Sequence, residues 1–133
     1  MSYLLDTNAC IDVLKGHPRV VAHIAAVSPA ECAVSVVTEF ELMAGVQRCA
    51  RPAREKKRLD AFLSVISVLS LSPAAAEQAA VIRYDLERQG NIIGPYDLLI
   101  AGHALSSRVT LVSNNTREFA RVEGLRLVDW RNK

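Results

Sequence analysis

The sequence predicts an α/β domain with a mostly parallel central sheet flanked by helices. Short β-prone runs alternate with helical segments along the whole chain, and residues 32–37 form a continuous β-prone run typical of a strand that is buried on both faces. The 133 residues contain no internal repeat, low-complexity tract or linker. We therefore expect residues 1–133 to form a single domain around one core.

The strands are predicted from short β-prone runs that end in turn-forming or helix-capping residues. The first run ends at Asp6-Thr7-Asn8, whose side chains are typical helix caps. The same pattern places strands at residues 3–5, 32–37, the later half of 65–71 and 109–112, with a candidate fifth strand at 125–128.

The helices are predicted between capping residues and stop residues. Gly16 ends the first helix, Ser72 and Pro73 cap and start the longest one, and Gly90 terminates it. On this basis helices are expected at residues 9–15, 18–27, 38–46, 51–63, 73–90 and 95–105.

The helix predicted at 95–105 differs from the others because it is apolar nearly all round, as expected for a helix buried in a core. Pro95 suits its first turn, and Ala101 and Gly102 leave room for another backbone to approach closely. The first turn carries one charge, Asp97. A carboxylate there either complements the helix dipole or belongs to a functional site.

The composition narrows the classes of protein to consider. Half of the residues are hydrophobic, the formal net charge is +2, and no apolar run is long enough to span a membrane. The first residues show no secretion signal, and the three cysteines have no paired-ligand spacing. We therefore expect a cytoplasmic protein whose cysteines are free thiols and that does not contact membranes.

Three carboxylates are expected to meet at one edge of the sheet. Asp6 ends the first strand, Glu41 lies one turn into the helix after the second strand, and Asp97 begins the buried helix. The carboxyl ends of parallel strands share one edge, where ligands bind in α/β folds. Each acid also has a structural interpretation: Asp6 as a helix cap, Glu41 in a capping box with Thr38, and Asp97 as a dipole partner.

The loop after the fourth strand reaches the same edge. Glu118 is a candidate fourth acid and Asn115 a candidate to orient water or a metal-bound ligand, although Asn is also an ordinary turn residue. Converging carboxylates repel each other unless a proton or a cation relieves them, and Mg²⁺ and Mn²⁺ prefer oxygen ligands. Such sites recur in enzymes that cleave phosphodiesters, because the ion activates water and neutralises phosphate charge.

These residues lie within an ordered set of motifs that extends from Tyr3 to Trp130. The set resembles the motifs of PIN-domain ribonucleases, and its spacing and C-terminal segments are similar to those of the VapC toxins of bacterial toxin–antitoxin pairs. The motifs are LLDTN at 4–8, ELMAG at 41–45, GPYD at 94–97 with the helix that follows, NNTREF at 114–119, VEGL at 122–125 and DW at 129–130.

The resemblance implies a Mg²⁺-dependent endoribonuclease, with Mn²⁺ as the alternative ion, that forms homodimers and is inhibited by a cognate VapB-type antitoxin. It also implies tRNA or another structured RNA as the substrate. By position, Asp6, Glu41 and Asp97 take the family's acidic places, with Asp6 and Asp97 as the metal ligands. Many members have an aspartate in the last loop, where this chain offers Asn115 and Glu118 as alternatives.

Two further features bear on function. Six basic residues and one acid lie between Arg48 and Arg58, giving a local charge of +5 that suits an RNA backbone or a solvated helix face. The rival interpretation is a receiver-like phosphoacceptor or a non-catalytic binding module with an acidic pocket. A receiver needs an aspartate after a mid-chain strand and a lysine after a late one, but residues 65–71 end without an acid and the late lysine is Lys133.

Overall fold

A computed structural model describes residues 1–132 and shows one sheet of five parallel strands. The strands are β1 (Tyr3–Leu5), β2 (Cys32–Ser35), β3 (Ser67–Leu69), β4 (Thr110–Val112) and β5 (Leu127–Val128). Their order in the sheet is β3–β2–β1–β4–β5. The helices are α1 (Thr7–Leu14), α2 (Pro18–Val27), α3 (Val36–Arg48), α4 (Pro52–Leu63), α5 (Pro73–Gln89), α6 (Pro95–Ser107) and α7 (Thr116–Phe119). The predicted fold class and all five strands are confirmed.

The central strands are buried on both faces, as a parallel sheet between helices requires. On β1, Leu4 packs into a core with residues of α5 and α6, whereas its neighbour Leu5 packs into a second core with residues of α1, α2 and α4. On β4, Leu111 and Val112 divide between the two cores in the same way. The alternation fixes the register, since a shift by one residue would exchange the two faces.

The start of α3 differs from the prediction. We expected the second strand to continue to residue 37 and the helix to begin at Thr38, but β2 ends at Ser35 and α3 begins at Val36. The Ser35 hydroxyl accepts a hydrogen bond from the Val37 N–H at 3.1 Å and so caps the helix. This cap outweighs the strand propensity of the two valines.

Other boundaries differ less from the prediction. Helix α1 begins at Thr7 rather than at residue 9, and α6 continues to Ser107, where Arg108 ends it in a left-handed conformation at φ 57°. Helix α7 was not predicted, because four residues are too few to show helical periodicity.

Helix α6 is held against α5 by an unusually close backbone contact. A Cβ atom placed on Gly102 would lie 2.6 Å from the backbone nitrogen of Ala79 and 2.7 Å from the carbonyl oxygen of Ala75. Only glycine fits at this point, so the predicted close approach is confirmed. The contact fixes the position of α6 and therefore of its first turn, which carries Asp97.

The structure also bears on the expectations about membranes and thiols. Within residues 1–132, no helix is long and apolar enough to cross a bilayer. Cys10 and Cys32 are buried and Cys49 is partly exposed, and all three are free, as predicted.

Candidate active site

The candidate site lies where β2, β1 and β4 end side by side. Asp6 directly follows β1, and Ser113 directly follows β4, which pairs with β1 so that Leu5 faces Val112. The Asp6 N–H donates to the Val112 carbonyl at 3.0 Å, which continues the pairing one residue beyond the strand. The start of α6 adds Asp97 to the same edge, where its charge acts on Asp6.

Asp6 is buried, with 2% of its surface exposed. Its Oδ1 accepts a hydrogen bond from the Ala9 N–H at 2.8 Å, so the helix-cap interpretation is confirmed. The pKa of this carboxyl is raised to about 6, mainly by burial. Hydrogen bonds from Ser113 and Ala9 lower the pKa, and the negative charges of Asp97 and Asp12 raise it by smaller amounts. A residue that only capped a helix at the surface would not show this shift.

Asp97 lies in the first turn of α6 and is half-buried. Burial raises its pKa to about 6, and the charges of Glu41 and Glu118 raise it too, while a hydrogen bond from the Asn115 side chain lowers it. Asp97 therefore interacts electrostatically with Asp6, Glu41 and Glu118, and we call the region around these four carboxylates the crevice.

Glu41 is held by Thr7, which the sequence indicated only as a helix-capping residue. The Thr7 hydroxyl donates to Glu41 Oε1 at 2.6 Å, and the buried Thr38 hydroxyl lies 3.3 Å from that of Thr7. The capping-box hypothesis for Thr38 and Glu41 is wrong, because Ser35 is the N-cap of α3. The side chain of Glu41 is thus tied to α1 and not to the start of its own helix.

Asn115 and Glu118 both reach the crevice. Asn115 Nδ2 donates to Glu118 Oε2 at 3.2 Å, and the Asn115 side chain also hydrogen-bonds Asp97. The Ser113 hydroxyl accepts from the Asn115 N–H at 2.9 Å and so shapes the loop. Asn115 is also the residue before α7, as the turn interpretation expects, and its role in the site stays a prediction.

Two aromatic residues at the crevice were missed as well. Phe40 and Tyr96 precede Glu41 and Asp97 in the chain, and their rings meet edge to face with centroids 5.5 Å apart. The signal was available: an exposed aromatic directly before each of two candidate acids. Ser113 could have been found too, since it follows β4 as Asp6 follows β1.

His103 lies in the core and not beside the four carboxylates. It is buried in α6, burial lowers its pKa, and its Nδ1 has no hydrogen-bond partner among the described residues.

The donor set of the crevice fits a hard divalent cation. Within residues 1–132, none of the four carboxylates forms an ion pair with a lysine or arginine, and their remaining neighbours are hydroxyls and an amide. Oxygen atoms of this kind suit Mg²⁺ or Mn²⁺ and do not suit a thiolate-preferring metal. Among the described residues, no group of three or more acidic, histidine or cysteine side chains is arranged so that it could hold a metal ion by itself. A cation bound by these carboxylates would therefore have to keep several water ligands, as Mg²⁺ does.

Comparison with known proteins identifies the family. The PIN domain family matches residues 3–125. The tRNA(fMet)-specific endonuclease VapC of Shigella flexneri is 42% identical over 130 residues, and Ribonuclease VapC2 of Haemophilus influenzae is 37% identical over 130 residues, each alignment covering 98% of both chains.

Solved structures agree with the sequence matches. The crystal structure of DNA-bound VapBC from Salmonella typhimurium superposes with a TM-score of 0.93 at 36% identity, covering 98% of each chain. VapBC2 from Rickettsia felis, bound to a DNA fragment from its promoter, gives a TM-score of 0.90 at 34% identity, covering 98% of this chain and 99% of that one. This chain belongs to the PIN-domain family, among the VapC ribonucleases.

Proposed function

We propose that the chain hydrolyses RNA phosphodiester bonds at the crevice formed by Asp6, Glu41, Asp97 and Glu118, with Mg²⁺ or Mn²⁺ held by Asp6 and Asp97. The observation that carries this proposal is the convergence of four carboxylates with no lysine or arginine paired to them in the described chain. PIN-domain nucleases generally depend on a divalent metal ion. A bound cation would relieve the repulsion that helps to raise the pKa of Asp6 and Asp97.

The side chains have distinct tasks in this proposal. A bound ion lowers the pKa of a water and neutralises charge on the phosphate. One carboxylate oxygen of Glu41 accepts a hydrogen bond from the Thr7 hydroxyl. The other oxygen is left to accept a hydrogen bond from the attacking water. Asn115 positions two acids at once, because its amide hydrogen-bonds both Asp97 and Glu118. Glu118 or Asn115 completes the pocket opposite Glu41.

The substrate class and the partner that we propose for this chain are those of its relatives. Two of them are named tRNA(fMet)-specific endonucleases, and solved neighbours are VapBC complexes of toxin–antitoxin systems. We therefore propose that this chain acts as the toxin of such a pair, cuts tRNA, is restrained by a VapB-type antitoxin and forms a homodimer. The receiver-like alternative is set aside by the family assignment.

The proposal is tested by Asp97→Asn, which keeps the shape of the side chain and removes its charge. Cleavage of unfractionated tRNA in Mg²⁺ should fall by more than about 100-fold, since loss of a mere supporting partner of a metal ligand typically costs about 10–100-fold. Asp60→Asn is the matched control, because Asp60 is exposed on α4 and pairs with Lys56. Cleavage by Asp97→Asn at the wild-type rate, with an unchanged circular dichroism spectrum, would leave Asp97 as a helix-terminus residue only.

A further inference from the structure

A cavity of about 750 Å³ opens between α1, α3 and α4 and continues from the crevice. We call it the α1–α3–α4 groove. Its floor is apolar, with Ile11 and Leu14 of α1 opposite Leu42 of α3, and Thr7 and Glu41 at one end belong to both the groove and the acidic site. The volume lies in the range of about 300–1,000 Å³ that is typical of ligand-binding pockets.

The rim of the groove carries positive charge that no acid of the described residues neutralises. Arg48 and Arg51 line it, and the guanidinium group of neither makes a hydrogen bond or an ion pair with any residue from 1 to 132. Arg58 also lines it but is engaged, since it bonds the Leu14 carbonyl and pairs with Glu55 at 3.4 Å. Two guanidinium groups are thus left to bind phosphates.

The structure divides the basic cluster that the sequence showed as one block. Arg54, Lys56 and Lys57 do not line the groove, because they lie on other faces of α4. Lys56 is already paired with Asp60 at 2.8 Å. The basic side chains that line the groove therefore come from three elements, and not from the face of α4 that carries Arg54, Lys56 and Lys57. They are Lys15 after α1, Arg48 at the end of α3, and Arg51 and Arg58 before and within α4.

Where the groove meets the crevice, the contacting rings of Phe40 and Tyr96 line its wall. Both side chains are about half exposed, Phe40 at 52% and Tyr96 at 45%. Exposed aromatic faces of this kind bind unstacked nucleobases. An aromatic surface beside four carboxylates and two free arginines suits a nucleotide strand better than it suits a purely acidic ligand.

We propose that the α1–α3–α4 groove binds the single-stranded RNA segment next to the cleaved bond, with Arg48 and Arg51 on its phosphates and a base against Phe40 and Tyr96. The proposal rests on the proposed function. A phosphodiester that is cut at the acids must continue to its neighbouring nucleotides, and the groove starts at Thr7 and Glu41. The competing occupant, an acidic segment of a partner protein, is distinguished by experiment.

Binding is measured with unfractionated tRNA, in a parent that carries Asp97→Asn so that the RNA is not cut. Arg48→Gln with Arg51→Gln should weaken binding and lower the slope of log K against log salt concentration by about 0.7 for each phosphate that the variant no longer neutralises. The matched control is Arg54→Gln with Lys57→Gln, which removes the same charge outside the groove and should leave the slope of the parent.

The aromatic contact is tested in the same parent. Phe40→Ala should weaken tRNA binding at least about fivefold, since stacking on an aromatic side chain is worth about a factor of five or more per base. Met43→Ala is the control, because Met43 lies on the same helix, is equally exposed at 54% and does not line the groove. Thermal melts of all variants exclude unfolding as the cause.

Each outcome separates this proposal from the one on which it rests. If the wild-type chain cuts no RNA, both proposals are wrong. If it cuts RNA and the Arg48→Gln, Arg51→Gln variant binds tRNA with the parent's affinity and slope, the groove proposal alone is wrong. If that variant keeps its tRNA binding but loses binding to the cognate antitoxin, the groove is a protein-docking surface and the proposal is overturned.

Discussion

Replacing Asp6 with asparagine should stabilise the metal-free protein. Asparagine keeps the shape and an oxygen that can accept the Ala9 N–H, and it caps helices as well as aspartate does. What it removes is a charge that is buried and close to Asp97. Most substitutions at a buried residue destabilise, so a rise in stability is a result that an ordinary structural role does not predict.

The magnitude follows from the pKa. The Asp6 pKa is raised from 3.8 to about 6, and one pKa unit corresponds to about 1.4 kcal/mol, so ionised Asp6 costs the folded state up to about 3 kcal/mol at neutral pH. For a chain of this length, a change of about 1 kcal/mol shifts the melting temperature by about 4 °C. In EDTA at neutral pH, we expect Asp6→Asn to melt up to about 12 °C higher than wild type.

The pH dependence has a definite sign. Because the folded state binds the Asp6 proton more tightly than the unfolded chain does, the stability of the wild type falls as pH rises from about 4 to about 6. Above that window the cost is complete, and below it the cost is absent. The advantage of Asp6→Asn should therefore be full at about pH 7, shrink below about pH 6 and vanish near about pH 4.

The assay is thermal melting of both proteins in EDTA and in Mn²⁺, with the exposed Asp60→Asn as a control for simple loss of charge. A ligand at about 100 times its Kd stabilises the state that binds it by about 2.7 kcal/mol, so wild type should gain several degrees with Mn²⁺ and Asp6→Asn much less. An equal gain in both proteins would refute Asp6 as a metal ligand. A lower melting temperature for the variant in EDTA would refute the cost that ionised Asp6 imposes on the folded state.

Two further predictions test the support of the site and of the fold. Thr7→Val should lower the rate of tRNA cleavage about tenfold without lowering the melting temperature, because Glu41 loses its hydroxyl donor. Thr7→Ser should keep the wild-type rate. If it does not, the hydroxyl does not position Glu41. Gly102→Ala should lower the free energy of unfolding in urea by about 1–3 kcal/mol, because the added Cβ meets the backbone of α5. Gly45→Ala is the control and should not destabilise the protein, because the space around Gly45 is open. Equal stabilities of the two variants would contradict the close contact.

Topology alone predicted that Asp6 and Glu41 lie at the same edge of the sheet, whereas Asp97 also required α6 to pack with its first turn at that edge. Once the strands are parallel, their carboxyl ends share an edge, and Asp6 and Glu41 must approach each other wherever the exact boundaries fall. The error at Val36 and Val37 did not matter for this reason. Strand propensity assigned those valines to β2, and the Ser35 cap assigned them to α3, but Glu41 stayed on the same side of the sheet.

Pairwise contacts were not predictable in the same way. Thr7 was identified only as a capping residue, because nothing in the sequence says that its hydroxyl would meet Glu41, 34 positions away. The basic cluster was seen as a single block for a similar reason. Its division between the groove and open solvent depends on how α4 is rotated about its axis, which Leu59 and Phe62 determine by packing into the core.

The two interpretations of Asp6, as helix cap and as site residue, support each other. Asp6 caps α1 and Asp97 lies in the first turn of α6, so two helices begin at the crevice. The positive ends of their dipoles lower the cost of gathering carboxylates where no lysine or arginine of the described chain pairs with them. The compensation is incomplete, since both pKa values remain at about 6. Burial is the largest cause of the raised pKa of both Asp6 and Asp97, and the charges of neighbouring acids add to it. Under the proposed function, a divalent ion held by Asp6 and Asp97 would offset this cost of keeping both carboxylates charged.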